Sequence, residues 1–149
     1  IVSKVTAILA KPFIKGRWNS REMIVNGFMH PTQFAGIKTQ GYHHQWRAID
    51  IGIPIGTPIY ASKGGTVKIA NKSGFGGGYG LYVYIEHGDG SGTMYAHLDK
   101  VSVRAGERVS QGARIGSSGN TGRTSGPHLH FEIRPPRGKS VSKWFPIPW

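Results

Sequence analysis

The chain contains no cysteine, only 7 acidic residues and no long apolar run, and each shortage removes a class of protein. Without cysteine there is no disulfide framework, no thiol nucleophile and no thiolate metal site, although the compartment stays open. No stretch approaches the length of a membrane span and none has a signal-peptide pattern, so the sequence reads as a soluble chain without a transmembrane segment. Amphipathic helix periodicity is missing as well, which turns the fold class toward β structure. The 7 Asp+Glu stand against 19 Lys+Arg, a formal charge of +12. A surface of that sign attracts polyanions such as nucleic acid, anionic cell-wall polymers or lipid head groups.

A chain of 149 residues holds one domain with a genuine core and is too short for two comfortable ones. It begins at Ile1 rather than Met, which reads as a mature product or as one domain of something larger, and otherwise as a monomer. Its 23 Gly and 9 Pro form no simple repeat; they punctuate short apolar runs, as in a turn-rich β protein. Residues 1–45 read as an irregular segment, interrupted by Lys11-Pro12, Gly16-Arg17-Trp18, His30-Pro31 and Gly41. Residues 46–134 read as the core of the domain, and 135–149 as a basic tail rich in Pro and Trp. Within the core, Ile49, Ile51 and Ile53 alternate with Asp50 and Gly52, the period of a strand with one apolar face. Pro58–Ala61, Thr66–Ala70, Leu81–Glu86, Thr93–His97, Val101–Val103, Arg114–Gly116 and His128–Ile133 read as further strands. The connections are too short for helical crossovers, so the expected class is all-β with an antiparallel sheet core.

The sharpest local signal is His128-Leu129-His130. On a strand, residues i and i+2 share a face, so both imidazoles point one way and Leu129 and Phe131 the other. Two imidazoles at that spacing can contact one divalent ion, or one can bind while its neighbour moves protons. An isolated H-x-H pair is more often two ordinary histidines. Here a glycine-punctuated loop, Gly116–Pro127, delivers the chain into the strand, another histidine (His97) follows Met94-Tyr95-Ala96, and His43 and His44 precede Asp50. A carboxylate between two isoleucines is expensive to bury unless a charge or a metal neutralises it.

These residues, with Ile49-Asp50-Ile51-Gly52, Gly78-Tyr79-Gly80-Leu81, Tyr95-Ala96-His97-Leu98, Gly119-Asn120-Thr121-Gly122 and Gly126–Glu132 in that order, make the chain resemble the lysostaphin-like zinc endopeptidases of peptidoglycan, the M23 peptidase family. The resemblance runs from about Trp46 to Arg134. It implies the lysostaphin-like peptidase fold, with a substrate groove walled by loops. It further implies Zn²⁺ held by Asp50 and His130, with His97 and His128 as catalytic residues that do not bind the metal. The implied activity is hydrolysis of peptide bonds in peptidoglycan stems or cross-bridges.

One departure matters. The family's first zinc ligand is a histidine four residues before the Asp, where this chain has Trp46. His43 and His44 stand seven and six residues before Asp50, as if a short insertion moved the ligand upstream. An extended chain would put His44 on the face of Asp50, whereas likeness to phage-borne members with this spacing favours His43. The alternative is a degenerate member that has lost the metal and serves as a cell-wall-binding or regulatory module. A nucleic-acid-binding barrel leaves the ordered histidines unexplained, so no nucleic-acid partner is expected. The expected partners are peptidoglycan and anionic wall polymers, and the expected setting is the extracellular cell wall or a phage tail. His87 reads as a structural or solvent-facing turn residue, His30 as a surface-loop residue, and the Gly74–Gly78 and Gly116–Arg123 loops as groove walls.

Overall fold

The computed structural model describes residues 24–25, 27–43 and 47–139, with the backbone alone for 25, 40–43 and 47. Strands β1 (Ile24–Val25) and β2 (Phe28–Met29) form a small hairpin. They are followed by β3 (Ile37–His43), β4 (Arg47–Gly52), β5 (Pro58–Tyr60), β6 (Gly65–Asn71), β7 (Leu81–Glu86), β8 (Gly92–Val101), β9 (Arg108–Val109), β10 (Arg114–Ser118) and β11 (His128–Arg134). Among the described residues the only helical element is a 3₁₀ turn at Gly76–Gly78, and no helix is long and apolar enough to cross a membrane. The main sheet runs β3-β4-β11-β8-β7-β6-β9, and β10 bridges β8 and β5. All its pairs are antiparallel.

The last strand in sequence, β11, is inserted in the middle of this sheet. It pairs with β4 on one side, His130 opposite Asp50, and with β8 on the other, His130 opposite Ala96. Its period-two pattern explains why it belongs there. Leu129, Phe131 and Ile133 are fully buried and join Ile49, Ile51, Val83, Ile85, Tyr95 and Leu98 in one hydrophobic core. Their neighbours His128, His130 and Glu132 therefore project from the opposite face. One face holds the domain together, and the other carries polar chemistry.

The strand β3 lies in the stretch that reads as irregular. Its Ile37-Lys38-Thr39 segment is exposed, so it has no apolar alternation to show, and it is held by its ladder to β4. His43 pairs with Ala48 in that ladder, so His43 and Asp50 lie on two neighbouring antiparallel strands, β3 and β4. His44 and Trp46 lie outside the described residues. Strand β8 continues past His97 to Val101, where the expected separate strand at Val101–Val103 reduces to its first residue.

Two histidines read as turn or loop residues are built into the interior. His30 is 5% exposed because its Nδ1 accepts the amide N–H groups of Thr32 and Phe34, in a turn whose Gln33 and Phe34 have φ of 54° and 66°. His87 lies in a buried chain in which its Nδ1–H donates to Gly64 O at 2.8 Å, its Nε2 is 3.0 Å from Thr93 Oγ1, and Thr93 Oγ1 is 2.7 Å from Tyr95 Oη. The Ser62 amide closes the chain by donating to Tyr95 Oη at 2.8 Å. The His30 ring must stay neutral for its Nδ1 to accept. Burial lowers the pKa of His30 to about 3, and it also lowers that of His87 against the opposing pull of its bond to Gly64.

The unfolded chain therefore binds protons that the folded one refuses, and stability falls as pH drops below the unfolded value of about 6.5. Urea unfolding between pH 7 and pH 4 should show this acid limb. His30→Asn, which keeps an acceptor but cannot titrate, should reduce its slope by up to about 1.4 kcal/mol per pH unit.

Candidate active site

Asp50, His128 and His130 reach one place because β4 and β11 are neighbours in register. His130 Nδ1 lies 2.9 Å from Asp50 Oδ1, a directly opposed cross-strand pair, and His128 Nε2 lies 3.8 Å from the same oxygen. His97 arrives by a different device. Simple alternation along β8 would put it with Thr93 and Tyr95, on the core side. The β7–β8 ladder instead passes from Val83↔Tyr95 to Leu81↔Leu98, three steps on β8 against two on β7. This bulge holds His97 at φ 61°, a left-handed conformation unusual for a residue other than glycine. Leu98 returns to the core, and the His97 ring stands 4.7 Å from His128 and 6.0 Å from His130.

Each imidazole is oriented through a specific nitrogen. His97 Nδ1–H donates to Thr121 O at 2.7 Å, and its amide donates to Tyr79 O at 2.8 Å. His128 Nδ1–H donates to Gly126 O at 2.8 Å, with Thr124 Oγ1 at 3.1 Å from the same nitrogen. In both rings Nε2 is left as the bare nitrogen. Burial lowers the pKa of His97, against the opposing effect of its bond to Thr121, so it is neutral at pH 7.

His130 is the most enclosed of the three, and its Nε2 lies 3.0 Å from Glu132 Oε1. Glu132 is 1% exposed, and a buried carboxylate needs partners. Tyr79 Oη donates to Oε1 at 3.1 Å, while Arg134 Nε and Nη2 donate to Oε2 at 3.1 and 3.0 Å. Burial by itself would raise the pKa of Glu132, yet His130 and Arg134 hold it below the usual carboxylate range. Burial would likewise lower that of His130, but the bonds to Asp50 and Glu132 overcome it and lift the ring to about 9. Glu132 and Tyr79 both lie in motifs that carry the resemblance, but those motifs assign neither a role. A carboxylate two residues after H-x-H and an aromatic in a glycine loop gain a role only from what packs around them.

The donor set fits a divalent metal of the zinc type. A carboxylate oxygen and an imidazole nitrogen converge, and the far nitrogen of that imidazole is anchored by a second carboxylate, as in metal-ligating histidines generally. Among the described residues, no group of three His, Asp or Glu side chains is arranged around one metal position. The third expected ligand falls on His43, whose side chain is not described, or on His44, which lies outside the described residues.

A recess of about 270 Å³ opens over this cluster, lined by Gly77, Gly78, Tyr79, His97, Arg123 and His130. Its two walls are the glycine loops on either side of β7 and β11, and they meet at Gly80 and Gly122. Both have positive φ (66° and 78°), and a Cβ on either would overlap the backbone of the other loop. The close approach lets Thr121 Oγ1 accept from Leu81 N and donate to Leu98 O, which sets the carbonyl that orients His97.

The raised pKa of His130 has a measurable consequence without metal. Its folded value lies above the unfolded one of 6.5, so its contribution is complete below about pH 6.5 and is lost as pH rises through about 9. Chelator-treated protein should therefore lose stability to urea between pH 7 and pH 9.5. His130→Ala should abolish that alkaline loss.

A family model described as peptidase family M23 matches residues 44–143. The peptidoglycan DD-endopeptidase ShyA of Vibrio cholerae is 49% identical over 84 residues, which is 56% of this chain and 19% of that relative. A solved zinc-containing peptidase from Vibrio cholerae superposes with a TM-score of 0.55 at 34% identity, over 74% of this chain and 35% of that one. The antimicrobial peptidase lysostaphin from Staphylococcus simulans does so with a TM-score of 0.61 at 34% identity, over 72% of this chain and 45% of that one. The chain spans between about a fifth and about a third of the length of the curated relatives it matches. Its antiparallel sheet is the lysostaphin-like one, and with a family match over 44–143 the chain belongs to peptidase family M23.

Proposed function

We propose that this chain is a zinc metalloendopeptidase that hydrolyses peptide bonds in bacterial peptidoglycan, at its stems or cross-bridges. The observation that carries this reading is the convergence of Asp50, His130, His128 and His97 in one cluster beside the recess, with Nδ1 of both His97 and His128 held by a backbone carbonyl. Family membership and the names of its relatives support it. The charge of +12 suits an anionic wall, and the setting is the cell envelope, on the wall or in a phage tail.

Asp50, His130 and His43 (or His44) are the residues that would hold the zinc. Bound there, it would supply Lewis acidity toward the scissile carbonyl and acidify a water toward neutrality. His43 is preferred because it ends β3 in the ladder to β4, opposite Ala48 and close in register to Asp50. His128 is the general base: its Nε2 is bare and beside Asp50, so it takes the proton of the attacking water and returns it to the leaving amine nitrogen. Neutral His97 presents an acceptor at Nε2, which orients that water. A role for it as donor to the developing oxyanion would require an imidazolium, which burial opposes. Glu132, clamped by Arg134 and Tyr79, keeps the His130 Nε2–H turned inward and so leaves Nδ1 for the metal.

The test is metal content and wall digestion on the same preparations. Wild type should carry about one Zn²⁺ per chain and release peptide fragments from purified peptidoglycan, identified by mass spectrometry. His128→Ala should keep its zinc and lose about 10²–10⁴-fold in rate. Asp50→Ala and His130→Ala should lose the zinc. Glu132→Gln should weaken zinc affinity about 10–100-fold in a chelator competition. Protein that takes up no zinc even on reconstitution would overturn the reading.

A further inference from the structure

The recess over the site contains one side chain with a permanent charge, Arg123, that the hydrolytic chemistry does not use. Its position is fixed from the backbone outward. The amide of Arg123 donates to Gly78 O at 2.8 Å, across the groove from its own loop, and Gly122 before it is seated against Gly80. The guanidinium then crosses to the opposite wall and lies over the Phe75 ring, 6.0 Å from its centroid. Such stacking engages the face of the guanidinium and leaves its in-plane N–H donors directed outward. Phe75 is itself 55% exposed, so the pair forms a rim rather than a piece of core.

No ion pair joins Arg123 to a carboxylate among the described residues. The carboxylates near the site have other partners: Glu132 binds Arg134, and Asp50 binds His130. Arg123 is thus a forked cation held beside His97 and His130, in a recess lined otherwise by glycine, tyrosine and imidazole. A planar fork of this kind matches a carboxylate, with two parallel N–H···O bonds.

The geometry points to Arg123 as a substrate-binding residue that recognises a free carboxylate on an amino acid flanking the scissile amide. This rests on the peptidase reading above and deepens it. The favoured substrate class becomes a cross-linked stem peptide with a carboxylate next to the cleaved bond, in preference to a neutral glycyl bridge. A glycyl bridge presents only amides at the same place and gives the guanidinium nothing to pair with.

The experiment compares zinc-loaded wild type with Arg123→Gln on two synthetic cross-linked stem peptides, identical except that the carboxylate flanking the scissile bond is free in one and amidated in the other. A pentaglycine peptide is the third substrate. Wild type should prefer the free carboxylate by about ten- to a hundredfold in kcat/KM, mostly through KM, the range expected of a charge-assisted pair. Arg123→Gln should lose that preference while its zinc content and thermal unfolding match wild type. Arg123→Lys, which keeps the charge without the fork, should fall between them. Wild type that cleaves both stem peptides equally, or that prefers pentaglycine, overturns this inference alone. So does an Arg123→Gln variant that keeps the preference. Wild type that cleaves none of the three overturns the peptidase reading and this inference with it.

Discussion

The antiparallel ladder on both sides of β11 is the constraint on which the rest of the molecule depends. One set of backbone hydrogen bonds fixes His130 opposite Asp50 on β4 and opposite Ala96 on β8. The same pleat drives Leu129, Phe131 and Ile133 into the core, so a one-residue slip of β11 would bury two histidines and expose three large apolar side chains. Folding and site assembly are therefore the same event. The energy that holds the register comes from burial on one face, and the geometry it enforces is used on the other.

On the site face, the protein sets proton positions by choosing which nitrogen of each ring meets a carbonyl or a carboxylate. Backbone carbonyls hold Nδ1 of His97 and His128, whereas Glu132 holds Nε2 of His130. Three imidazoles in one cluster thus present two different nitrogens, Nε2 from His97 and His128 and Nδ1 from His130, without any difference in residue type. Arg134 serves the same purpose by holding Oε2 of the buried Glu132, whose Oε1 is held by Tyr79 and His130.

Much of this is legible in the sequence. The alternation in Ile49–Ile53 and in His128–Ile133 marks β4 and β11 as strands and puts the two histidines on one face. Their order with Asp50 and His97 carries much of the resemblance to the M23 family. The side on which His97 emerges is not legible, because its bulge is a property of backbone conformation and counts one residue against strand parity. Nor is β3: its first residues are exposed, so no apolar period distinguishes them from loop. His30 fails for a related reason. Its burial comes from amides that converge on it only once Gln33 and Phe34 take left-handed conformations. Local periodicity reports which face a residue takes, and it is blind wherever the backbone leaves the regular pattern.

The division between ladder and loop has a consequence for how such a molecule can change. Asp50, His128 and His130 sit on interior strands, each with neighbours on both sides, where opening requires the sheet to part at its centre. Arg123 and the glycines opposite it sit on connections stitched together by single contacts such as Arg123 N to Gly78 O and Leu81 N to Thr121 Oγ1. Residues of these loops can be exchanged with little disturbance to the strands beneath them, as long as the carbonyls of Thr121 and Gly126 stay where they orient His97 and His128. The lining of the recess at Arg123 and Gly78 is accordingly free to diverge, while the strand cluster of Asp50, His128 and His130 beneath it is inherited intact.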